Sequence, residues 1–115
     1  ALLLAREGYA VIGVGRSEAR CRQARETILA AVPSASVRFF SADLMQLNEV
    51  NRLADEICAS LAPDGGLHAL INNAGCVRSW YTTTDEGYEQ VFALNVLAGF
   101  LLMFSAAAAL TLALA

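Results

Sequence analysis

The chain has 115 residues, 57% of them hydrophobic, and a formal net charge of −3. That length sets a ceiling of one domain, and the apolar share is enough for a large core. The acidic balance, with Arg16, Arg20, Arg22 and Arg25 as the densest basic patch, argues against a nucleic-acid surface, which needs a run of cations against a run of phosphates.

In chain order, residues 1–5 are apolar but lack the basic start and cleavage pattern of a signal peptide. They lead through Arg6 and Glu7 to Gly8 and read as a last helical turn closed by a Gly C-cap. Residues 9–14 are a short strand. Ser17 can cap a helix whose first turn holds Glu18, favourable at the positive helix terminus. Cys21, Ala24, Ile28 and Ala31 recur at three and four residues, which gives that helix one packed face and leaves its Arg-rich remainder to water. Pro33 and Ser34 end it. Residues 37–40 form a second strand with Ser41, Ala42 and Asp43 at its carboxyl end. Val50, Leu53, Ala54, Ile57, Cys58 and Leu61 then fit the helical template over residues 48–61, and Pro63, Asp64, Gly65 and Gly66 make a turn.

Residues 67–75 read Leu-His-Ala-Leu-Ile-Asn-Asn-Ala-Gly. An apolar run too short for a helix that stops at two Asn and a small-residue turn is the pattern of a buried parallel strand ending at a polar site. The last residues of such a strand are the first to reach a ligand in the crevice above the sheet. His68 lies inside the run and reads as a hydrogen-bonded strand residue rather than a catalytic one. A polar loop follows to Thr83, Thr84, Asp85 and Glu86, where Thr83 and Glu86 have capping-box spacing. A long apolar helix comes next. Its stretch 91–115 carries no charged residue and is long enough to cross a bilayer, but its many Ala, its Asn95 and Ser105, and the lack of flanking Lys or Arg favour a buried helix over an anchor. It also suits packing against a second copy, so a homo-oligomer is one expectation.

The order helix, strand, helix, strand, helix, strand, helix predicts an α/β fold, a partial doubly wound parallel sheet of three strands over residues 1–115. Cys21, Cys58 and Cys76 are odd in number, widely spaced and set in apolar or helical contexts, which suggests reduced thiols and a cytoplasmic protein. With one His and no Cys-x-x-Cys, no metal site is expected.

Asn72-Asn73-Ala74-Gly75 after a hydrophobic strand, Ala42-Asp43-Leu44 after the preceding strand and Phe92-Ala93-Leu94-Asn95-Val96 in the long helix together resemble the short-chain dehydrogenase/reductase family. The resemblance covers nearly the whole chain and fades after about Ser105. It implies a Rossmann domain in which Asp43 and the Leu44 backbone hold the adenine ring, and Asn72 with the Ala74 and Gly75 backbone lines the adenosine ribose and the nicotinamide side. It further implies that Asn95 interrupts its helix and holds a water of a proton relay. A physical argument points the same way, because an unpaired buried amide costs about 1 to 3 kcal/mol, so Asn95 needs a partner; an ordinary bond to neighbouring backbone would also supply one.

Cofactor choice turns on the end of the first strand, Gly13-Val14-Gly15-Arg16-Ser17. NAD enzymes place a carboxylate there; here Arg16, with Ser17 beside it, could instead grip a 2′-phosphate, so NADP is expected over NAD. A rival reading makes Gly13-x-Gly15 the pyrophosphate loop itself, although Glu18 stands where the third Gly belongs and would repel phosphate. The family's Gly-rich loop and its Ser and Tyr-x-x-x-Lys have no counterpart in the sequence, which has no Lys at all. The sequence is therefore expected to be part of a longer oxidoreductase acting on a small-molecule carbonyl or alcohol. The loop 76–84, with Trp80 and Tyr81, would border its substrate, and Thr84-Asp85-Glu86-Gly87-Tyr88 looks like the retinol dehydrogenase-like members, which suggests a lipid- or steroid-like substrate. The alternative is a non-catalytic NADP-binding sensor or structural partner.

Overall fold

A computed structural model of the protein describes residues 1–61 and 66–105. It is an α/β structure in two compact units, Ala1–Asp43 and Leu44–Ala115.

In the first unit, α1 (Leu2–Arg6) ends at Glu7, and Gly8 follows with φ +86°, a left-handed exit that Gly makes without steric cost. β1 (Val11–Gly15), α2 (Glu18–Ala31) and β2 (Val37–Ser41) complete a parallel βαβ unit. The two strands pair from Val11↔Val37 to Gly15↔Ser41. Ser17 caps α2 by accepting the Arg20 N–H at 3.4 Å, as its position predicts. The core is Ala5, Ile28 and Val37, with Leu2, Val11, Ala35 and Phe39 packed on it. Of the four small or apolar residues on the expected face of α2, Cys21 and Ile28 are buried, Ala24 is half-buried and Ala31 is exposed.

β1 contains two Gly because its neighbours occupy the space a side chain would need. A Cβ on Gly13 would fall on the ring of Phe39, its cross-strand partner, 2.6 Å from Cδ1; one on Gly15 would lie 2.8 Å from Cys21 Sγ. The Cys21 thiol donates to the Phe40 carbonyl at 3.7 Å, and Arg25 Nε donates to the Val37 carbonyl at 3.3 Å. The helix is thus tied to the strand by groups that its polar face also supplies.

In the second unit, α3 (Leu47–Ser60) buries Val50, Leu53 and Ala54, and each large apolar side chain so buried contributes about 1.5 to 3 kcal/mol. The final helix begins as α4 (Gln90–Phe92), widens into a π-helical turn (Ala93–Leu97) and resumes over 98–105. Ala93 and Ala98 are fully enclosed, while Phe92, Val96, Phe100, Met103 and Phe104 are about half exposed. The buried-helix expectation therefore holds for these two Ala positions and fails for those five side chains, while Leu94, Leu97, Leu101 and Leu102 are half-buried. Among the described residues no helix is long and apolar enough to cross a membrane. The end of the charge-free tail and most of the turn at Pro63 lie outside the described residues.

The parallel sheet is as expected, but its strand count is not. Residues 67–75 form no ladder among the described residues, and Ile71 is 70% exposed rather than buried on both faces. A ladder needs a neighbouring strand, and no described segment pairs with residues 67–75.

Candidate functional site

The expected site residues of the first unit fall at element ends. In the first unit, Arg16 and Ser17 follow β1, and Asp43 follows β2, at the same edge of the parallel pair. This edge is fastened: Ala42 N–H donates to the Gly15 carbonyl at 3.0 Å, and the Ser41 hydroxyl donates to the Arg16 carbonyl at 3.2 Å. Ser17 is committed to capping α2. The exposed Arg16 guanidinium takes no partner among the described residues, and no carboxylate follows β1 before Glu18. Asp43 is half-buried. Leu44 begins the second unit, where it is also half-buried.

In the second unit, Asn72, Ala74, Gly75 and Asn95 are brought together. Asn73 N–H donates to the Ile71 carbonyl at 3.1 Å, and among the described residues no non-Gly residue has positive φ. The chain therefore makes an inverse γ-turn about Asn72, a motif common at strand ends. Asn95 sits at the centre of the π turn, where the Ala98 N–H reaches back five residues to the Ala93 carbonyl. Such insertions recur at functional sites. Widening the turn presents the Asn95 amide to the passing chain: its Oδ1 accepts the Cys76 N–H and its Nδ2 donates to the Cys76 carbonyl, both at 2.9 Å. The interruption expected from the resemblance is present, and so is a plain backbone partner, but Asn95 is exposed rather than the buried amide that the physical argument assumed.

The same helix approaches Asn72. A Cβ on Gly99 would lie 3.3 Å from Asn72 Cγ, and one on Gly75 would lie 3.5 Å from Asn95 Oδ1. The Asn72 amide itself makes no hydrogen bond among the described residues and is exposed. Its donors and acceptor are unspent at the mouth of the turn.

Sequence reasoning missed Gly99 and misplaced a cap. An isolated Gly within an apolar helix was the available signal, since such a Gly costs about 1 kcal/mol against Ala and usually has a packing reason. The capping box of Thr83 and Glu86 does not form. Glu89 is the N-cap, its carboxylate accepting the Val91 and Phe92 N–H groups at 2.9 and 2.8 Å. Thr83 instead pairs with Glu89 in an isolated antiparallel bridge, and Glu86 reaches α3, where its carboxylate accepts the Leu47 and Asn48 N–H groups.

A family model described as short chain dehydrogenase matches residues 1–113. The chain is 32% identical to human polyprenol dehydrogenase over 99 residues, covering 86% of this chain and 29% of that protein. It is 33% identical to human retinol dehydrogenase 13 over 102 residues, covering 89% of this chain and 30% of that protein. The chain thus spans about a third or less of the length of these curated relatives. Among solved structures, a short-chain dehydrogenase from Sphingobium yanoikuyae in complex with NADPH superposes with a TM-score of 0.73 at 26% identity, covering 93% of this chain and 41% of that one. On the family match over nearly its whole length, this chain belongs to the short-chain dehydrogenase family.

Proposed function

We propose that this chain is the cofactor-binding portion of an NADP(H)-dependent oxidoreductase that interconverts a carbonyl and an alcohol on an apolar small molecule. The observation that carries the reading is the Asn72–Cys76 turn, clamped by Asn95 while the Asn72 amide stays unspent. A turn held that firmly, with a free amide and small residues beside it, is built to receive something flat and polar.

In this reading, Arg16 and Ser17 take the 2′-phosphate end of the cofactor, and Asp43 with the Leu44 backbone takes the adenine. Asn72 and the Ala74 and Gly75 backbone line the ribose and nicotinamide side. When bound, the cofactor supplies the hydride. Asn95, with both ends of its amide spent on Cys76, serves the proton relay through its main chain in the π turn. The loop after Cys76 carries exposed Val77, Trp80 and Tyr81 and forms the apolar border of the substrate site. Two relatives named for apolar alcohols, polyprenol and retinol, favour that substrate class.

The test is equilibrium binding of NADPH and NADH to the full-length protein, followed by turnover of retinal, a steroid ketone and a short polar ketone. Tighter NADPH binding with reduction of an apolar carbonyl supports the proposal. Binding without turnover of any carbonyl points to the sensor reading instead, and failure to bind either nucleotide overturns both.

A further inference from the structure

The helix α3 has an N-terminus that its own sequence does not cap. Gln46 at the N-cap makes no side-chain bond, yet the first orphan amides are all satisfied: Asn48 Oδ1 accepts the Glu49 N–H at 2.9 Å, and Glu86, 38 residues along the chain, accepts the Asn48 N–H at 3.2 Å and the Leu47 N–H as well. Helix N-termini carry partial positive charge, so a carboxylate is the best-suited acceptor there. What delivers Glu86 is a closed turn. Thr84 is buried; its carbonyl accepts the Gly87 N–H at 2.9 Å, its hydroxyl accepts the Tyr88 N–H at 3.2 Å, and its own N–H donates to the Tyr88 carbonyl at 2.6 Å, with Gly87 at φ +90°. A rigid turn with a carboxylate at its tip is a peg.

The peg stands at one end of the loop that begins at Cys76. The other end is the Asn95 clamp on Cys76. Between the two anchors run Val77, Trp80 and Tyr81, which are 95%, 64% and 77% exposed. Apolar side chains so exposed do not fix a loop by their own burial, so its position is set at its ends. At the far end the Gln90 N–H donates to the Thr82 carbonyl at 2.8 Å and Thr83 bridges to Glu89, so that Glu86 fixes the turn that these bonds join to the loop. We propose that Glu86 is a positioning residue: by pegging the Thr84–Tyr88 turn to the N-terminus of α3 it holds the far end of the 77–82 loop, and through it the apolar residues presented to substrate. Only the word substrate rests on the function proposed above; the peg itself stands on geometry.

The experiment compares full-length wild type with Glu86→Ala and Glu86→Gln by amide hydrogen exchange and by steady-state kinetics. Exchange of the Thr84 and Gln90 amides, which are bonded to the Tyr88 and Thr82 carbonyls at the far end of the loop, speeds up roughly tenfold in Glu86→Ala, since local opening follows the loss of its anchoring bonds, and less in Glu86→Gln, which keeps one acceptor. The KM for an apolar carbonyl rises several-fold while kcat and the NADPH Kd stay within about twofold. Leu47→Pro removes one donor from the helix side without touching the loop: Pro is tolerated at the first helical position, and Gln46 at φ −99°, ψ 111° already has the extended conformation that a following Pro requires. It is expected to loosen the loop by a smaller factor. A rise in exchange confined to residues 47–49, with the Thr84 and Gln90 amides unchanged in all three variants, would make Glu86 a helix cap only and overturn the proposal. Absence of turnover in the wild type would sink the proposed function and leave the exchange result to decide the peg.

Discussion

Asn95 holds the main chain of Cys76 from both sides, Oδ1 to its N–H and Nδ2 to its carbonyl, each at 2.9 Å. A primary amide carries an acceptor and a donor side by side, which suits it to meet the N–H and the C=O of one residue at once. Asn95→Ala leaves both peptide groups to water, which can reach them because Asn95 is exposed, so the cost falls near about 1 to 2 kcal/mol for the pair. Asn95→Asp keeps the acceptor and turns the donor into a second oxygen facing a carbonyl, and it is expected to lose at least as much as Ala. The midpoint of denaturant unfolding of the full-length protein, at unchanged slope, measures both.

Gly13→Ala tests the closest approach in the first unit. The added methyl meets the Phe39 ring, 2.6 Å from Cδ1, and that ring packs on the Ala5, Ile28 and Val37 cluster. Overpacking of this kind costs about 1 to 3 kcal/mol, more than the roughly 0.4 to 1 kcal/mol gained by restricting the unfolded chain. The double variant Gly13→Ala, Phe39→Leu should recover part of the loss. A thermodynamic cycle that came out additive would show that the two residues do not share the space.

Gly99→Ala sets helix propensity against contact. Ala is favoured over Gly by about 0.8 to 1.0 kcal/mol in a helix interior, while its Cβ would come within 3.3 Å of Asn72 Cγ, a few tenths of an ångström too close. Asn72 is exposed and can yield, so stability is expected to hold or rise slightly. The NADPH Kd, measured on the same variant by fluorescence titration, should increase several-fold, because the amide that yields is the one proposed to meet the cofactor.

Glu89→Ala strips the cap from the last helix and leaves the Val91 and Phe92 N–H groups unpaired. Loss of an N-cap acceptor costs about 0.5 to 2 kcal/mol. Glu89→Asp, a residue with strong N-cap preference, should stay within about 0.5 kcal/mol of wild type by the same thermal or denaturant melt.

These positions also show what the sequence could and could not disclose. Elements set by local chemistry were legible: Ser17 ahead of a helix, Gly8 behind one, and the apolar spacing of α3 each depend on neighbours a few residues away. Asn95 was legible as an anomaly, a polar residue in an apolar helix that needed a partner. Its partner was not, because Cys76 is 19 residues distant and offers only backbone, which every residue has. Glu86 and Glu89 illustrate the same limit. Both are Glu near a helix start, and only the fold decides that one caps the local helix and the other a helix from 38 residues earlier. The missing ladder at 67–75 is a case where pattern and pairing separate: apolar alternatives select a strand-like run, but a ladder needs a neighbour.

Arg16→Ala discriminates between the two nucleotide cofactors. The guanidinium follows β1 with no partner among the described residues, and a charged hydrogen bond to a phosphate is worth about 1.5 to 3 kcal/mol, which corresponds to a roughly 10- to 150-fold change in Kd. NADPH affinity of the full-length protein is expected to fall by the lower end of that range, because an exposed pair is screened by salt, and the loss should shrink further as ionic strength rises. NADH, which lacks the 2′-phosphate, should bind the variant and the wild type equally. Equal losses for both nucleotides would place Arg16 against the shared pyrophosphate instead, as the rival Gly13-x-Gly15 reading requires, and would remove the basis for preferring NADP.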